Sequence, residues 1–86
     1  MAHTRKWKVD VFLYEEGAEV TAEAVLHADV VEPITARGTA RLGAAGAVPE
    51  IGAELATSRA LSAIGHRLLE LTAHDLAGLP RPVTTG

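Results

Sequence analysis

Apolar and polar residues alternate over residues 6–15: Trp7, Val9, Val11 and Leu13 fall on one side, Lys8, Asp10, Phe12 and Tyr14 on the other. A period of two is the signature of a strand. Glu15-Glu16-Gly17-Ala18 interrupts it with a glycine able to take positive φ, after which Val20, Ala22, Ala24 and Leu26 alternate with Thr21, Glu23, Val25 and His27. The two runs predict an antiparallel hairpin. Residues 28–33 contain Asp29, Glu32 and Pro33, and proline cannot donate to a sheet ladder, so this stretch reads as a connection to a third strand over about 34–42. There Ala36, Gly38, Ala40 and Leu42 oppose Thr35, Arg37, Thr39 and Arg41. The small residues predict a helix packed closely over this strand, and the arginines mark the uncovered sheet face.

A glycine- and alanine-rich loop at 43–48 leads to Pro49, a residue well tolerated in the first turn of a helix, and Glu50 and Glu54 complement the positive end of the helix dipole. Helical spacing runs through Ile51, Leu55, Leu61, Ile64, Leu68, Leu71 and Leu76 to Gly78, a candidate left-handed cap. The pattern fits one long helix or two joined near Gly65. Such a helix is about 40 Å long against about 30 Å for the strands, so one end is expected to overhang the sheet. Ile51 and Leu55 lie on a different side from Ile64, Leu68 and Leu71, an apolar arc wider than one sheet contact requires. The expected fold is α+β: a three-stranded antiparallel sheet followed by a long C-terminal helix on one face. It forms one domain over 1–86, with a core at about 6–78 and a loosely docked tail at 79–86.

Composition narrows the functional classes. A chain of 86 residues has a small core, and with no cysteine it has neither disulfides nor thiolate metal sites to reinforce it, which leaves oligomerisation. The formal net charge is −3 and no basic stripe of the kind that meets phosphates is visible. No segment approaches the roughly 20 apolar residues that span a bilayer, so a cytoplasmic protein with no membrane partner is expected.

The segments Thr39-Ala-Arg-Leu42, Pro49-Glu-Ile-Gly-Ala-Glu-Leu-Ala56, Arg59-Ala-Leu-Ser62 and His66-Arg-Leu-Leu69 resemble a family of small actinobacterial proteins of unknown function, and the likeness runs from about Trp7 to about Val83. The resemblance implies a fold like that of double-stranded-RNA-binding domains, and it brings no activity, ligand or catalytic residue with it. Duplex RNA is nonetheless not an expected partner. Those domains carry an extra leading helix and lysines at the start of the last helix, where this chain has Pro49, Glu50 and Glu54, which repel phosphate.

Candidate chemistry is sparse. His66, Arg67, Glu70 and His74 share helical spacings, but the two histidines stand two turns apart, about 12 Å by helical rise, and read as a solvated charged face. Ser58 and Ser62 lack the strand-turn-helix setting of an exposed nucleophile and read as close-packing small residues. Gly43-Ala-Ala-Gly46 precedes a helix but lacks the lysine and hydroxyl residue of a phosphate loop. No catalytic, metal or cofactor residue is therefore assigned, and no enzyme activity or cofactor is expected. The expected role is a self-associating interaction module, most economically a two-fold dimer. Its interface would be either the helix residues Leu68, Leu69, Leu71 and Leu76 or the open sheet face with Phe12, Tyr14 and Val25. The alternative is a regulatory or nucleic-acid-associated binder using Arg37 and Arg41 on that sheet face.

Overall fold

Strands β1 (Lys8–Glu16), β2 (Glu19–His27) and β3 (Ile34–Arg41) form an antiparallel meander in the order β1-β2-β3, and one helix, α1 (Pro49–Gly78), packs across one face. The computed structural model describes residues 2–29, 32–41 and 49–79. The expected loop at 43–48, Leu42 and most of the tail lie outside them. Strand bounds differ from the sequence reading by one or two residues, as ladder ends usually do.

Gly17 sets the hairpin. Glu16 pairs with Glu19, leaving Gly17 and Ala18 as a two-residue turn, and Gly17 takes φ 59° at its first central position. Primed turns of this length need positive φ there, and they match the right-handed twist of the strands. The resulting register places Val9, Leu26 and Ile34 in one row across the sheet, Val11, Ala24 and Ala36 in the next, and Leu13, Ala22 and Gly38 in a third. All three rows point to the helix side because the side-chain period of a strand is two.

The helix sits deepest over β3. A Cβ atom at Gly38 would collide with the Ala56 carbonyl oxygen, the Ala60 amide nitrogen and the Arg59 Cβ, so the backbones of β3 and α1 approach as closely as glycine permits. Arg59 fastens this contact by donating from Nη1 to the Thr39 carbonyl at 2.7 Å. The buried core is correspondingly small-chained: Ala22, Ala24, Ala40, Ala56 and Ala60, filled out by Val20, Leu26, Ile34 and Ile64.

α1 runs unbroken through Gly65, which decides between the one-helix and two-helix readings. Gly78 does not take the left-handed conformation expected of a cap. The helix instead closes with a tighter bond from the Leu79 amide to the Leu76 carbonyl, 3.3 Å. Thirty residues span about 45 Å, and every described residue after Leu68 is exposed. The last two to three turns overhang the sheet, as the length comparison predicts.

Candidate interaction surfaces

On the sheet face away from α1, pairing aligns Phe12 with Glu23 and Arg37, Tyr14 with Thr21 and Thr39, and Asp10 with Val25 and Thr35. Phe12 and Tyr14 are about half exposed, while Val25 is half-buried between its neighbours. Most of the charges beside them pair across strands. Arg37 Nε donates to Glu23 Oε2 at 2.9 Å, and Arg41 Nη2 donates to Glu19 Oε2 at 3.4 Å. His27 Nε2 lies 3.1 Å from Asp10 Oδ2, with Lys8 Nζ 3.5 Å from the other oxygen. Each arginine of this face therefore already has a carboxylate of its own chain opposite it. Such solvent-exposed pairs stabilise little. A double-mutant cycle of Arg37→Ala with Glu23→Ala, read by urea unfolding, is expected to give a coupling below about 1 kcal/mol.

The four leucines grouped as one helix interface do not share a face. Leu68 is half-buried against the chain's own core, and with Leu71, Thr72, Trp7 and Ile34 it lines a cavity of about 260 Å³. Leu69 and Leu76 point away from the sheet and are 68% and 63% exposed. The reason is angular: at about 100° per residue, Leu68 and Leu69 diverge by more than a quarter turn. Ser58 and Ser62, expected to pack closely inside the monomer, are exposed on that same outward side. His66, Arg67, Glu70 and His74 are exposed as well, and among the described residues no group of three or more histidine or acidic side chains could hold a metal ion.

One surface escaped the sequence reading. The helix-side row of β1, Trp7, Val9, Val11 and Leu13, remains 38–47% exposed although it points toward the core side of the sheet. A helix is about 10 Å across and the outer strands of a three-stranded sheet lie about 10 Å apart, so one helix seated on β3 reaches over β2 and leaves β1 bare. Beside it Thr57, Leu61 and Leu68 lie on the flank of α1 with Glu54 and Asp75, leaving a groove one helix wide along β1 with an apolar floor and a mixed wall. The signal that could have revealed it is Gly38: a glycine on β3, with none at the matching positions of β1, draws the helix off-centre. No described helix is long and apolar enough to cross a membrane.

Comparison with known proteins places the chain among relatives without supplying a role. The chain is 41% identical over 71 residues to the uncharacterized protein Mb1767 of Mycobacterium bovis (strain ATCC BAA-935 / AF2122/97), covering 81% of this chain and 74% of that one. The same figures hold for the uncharacterized protein MT1780 of Mycobacterium tuberculosis (strain CDC 1551 / Oshkosh). The crystal structure of Rv2632c superposes with a TM-score of 0.83 at 32% identity, over 94% of this chain and 98% of that chain. With its meander and single helix in common with that structure, and with residues 5–82 matched by the family model, the chain belongs to the Rv2632c-like family.

Proposed function

We propose that this protein is a non-enzymatic interaction module that works by self-association. The observation that carries the reading is the apolar surface left uncovered on a small core: the β1 row on the sheet, and Ile51, Leu55, Leu69 and Leu76 on the outward side of α1, each at least 38% exposed. Scattered exposed leucines are ordinary, but contiguous apolar strips on a monomer of this size mark interaction sites. No buried polar or charged side chain occurs among the described residues, so no candidate acid, base or nucleophile there is sheltered from water.

Sedimentation equilibrium at micromolar concentration tests the proposal. The expected mass is twice that of the 9.0 kDa chain, and a monomer mass across the concentration range rejects it. A regulatory or nucleic-acid-associated role through Arg37 and Arg41 receives less support, because their pairing with Glu23 and Glu19 reduces the charge available to phosphate.

A further inference from the structure

Two uncovered surfaces of this molecule fit each other. The first is the groove over β1, floored by Trp7, Val9, Val11 and Leu13. The second is a stripe along the whole outward side of α1. Ile51, Leu55, Leu69 and Leu76 belong to it, with Ser58, Ser62 and Gly65 between them. Together with Thr72 they recur in alternating steps of four and three residues, the 3.5-residue period of a helix that packs against another element. No charged residue interrupts the series. At about 100° per residue it lies opposite Ala56 and Ala60, the side buried on the sheet.

Toward and past the end of the sheet, the side of α1 that would face strands carries Arg67, Glu70 and His74 beside Leu71, which is 39% exposed. The outward side meets water along its full length and still carries leucine at 69 and 76.

Dimensions select the occupant. Packed helices lie 8–10 Å apart, about the distance between β1 and β3, so a second helix laid beside α1 would rest directly on the β1 row. That helix must be apolar below, toward β1. If it is α1 of a second copy, its sheet lies on the far side, and the face it turns toward β1 is the stripe. We propose, building on the self-association reading above, that two copies form a two-fold dimer with both α1 helices side by side between the two sheets. The middle of each stripe, from about Ser58 to Leu69, seats on the other chain's Trp7–Leu13 row, which at about 20 Å is a little over half as long as the stripe.

One symmetry operation fills both grooves and covers the middle of both stripes. Ser58, Ser62 and Gly65 let the facing strand approach where large side chains would hold it off, as Gly38 does within the chain. Complete covering of the exposed parts of the row, the stripe and Leu61 would bury on the order of 700 Å² per chain, a ceiling that lies below the ~800 Å² each partner gives to an interface of standard size.

The test combines sedimentation equilibrium with quenching of Trp7, the single tryptophan and a member of the groove floor. Wild type is expected to be dimeric, with Trp7 accessibility to iodide falling as concentration rises. Val11→Lys and Leu69→Glu should each weaken the dimer by about 100-fold or more, because each places a charge in an apolar contact. Tyr14→Glu, on the opposite sheet face, should leave it intact. Far-UV circular dichroism checks each fold. Should Val11→Lys unfold, Leu69→Glu carries the test, since its position is exposed in the monomer. A monomeric wild type overturns both this geometry and the self-association reading. A dimer that survives Leu69→Glu, dissociates with Tyr14→Glu, or leaves Trp7 equally accessible at all concentrations overturns the geometry alone.

Discussion

Gly38→Val is expected to destabilise the fold more than any other single substitution considered. Any Cβ at this position falls under 3.0 Å from main-chain atoms of α1, at the Ala56 carbonyl and the Ala60 amide. Main chain inside a helix cannot swing aside as a side-chain tip can, so α1 must lift from β3 and uncover the alanine core beneath it. Overpacking of an interior costs typically 1–3 kcal/mol and sometimes more. Gly38→Ala should therefore lose about 3 kcal/mol, and Gly38→Val more, out of the roughly 4–13 kcal/mol available to a chain of this length. Urea unfolding at one fixed protein concentration measures the loss. Gly78→Ala, at the end of α1 and outside the proposed interface, is the control. Nothing lies within 4 Å of a Cβ at that position, and alanine is a better helix former than glycine, so no loss is expected. Equal midpoints for Gly38→Ala and wild type would mean that the helix does not sit where Gly38 admits it.

Ile64→Ala should cost about 3 kcal/mol, within the 2–5 kcal/mol range for truncating a buried isoleucine to alanine. Among the described residues Ile64 is the one large helical side chain in the buried core, at 5% exposure, where its helical companions are Ala56 and Ala60. Alanine contacts hold the two layers close but bury little area each, and so the few branched side chains carry a disproportionate share of the hydrophobic stabilisation. Leu61→Ala, at a side chain 43% exposed on the groove flank, should cost clearly less in the monomer. If the two substitutions cost the same, α1 is rotated about its axis from the orientation described.

The local pattern carried the secondary structure well. Alternation separates the Trp7–Leu13 row from Phe12 and Tyr14 because a strand's side-chain period is two and does not depend on what lies around it. Pro49, Glu50 and the leucine spacing likewise place α1, and the contrast of Gly38 with Arg37 and Thr39 identifies the face of β3 that the helix covers. The interaction surfaces were less legible. Leu68, Leu69, Leu71 and Leu76 look like one cluster on the page, yet α1 turns them to opposite sides, one toward its own core and groove and the other toward solvent.

Strand identity, hairpin, the bounds of the helical region and the inward row of each strand follow from the order of residues, since they depend on neighbours a few positions apart, whereas the continuity of α1 through Gly65 was left open. Three further facts were decided only in three dimensions. Which carboxylates face Arg37 and Arg41 depends on cross-strand register. Which leucines are spent inside the monomer depends on the rotation of α1 and on where the sheet ends beneath it. That the β1 row stays bare depends on the sideways position of the helix, a balance of contacts between β3 and residues some twenty positions later in the chain. The period of a single segment holds no record of such a distance, and so the groove became visible only once helix and sheet were seen together.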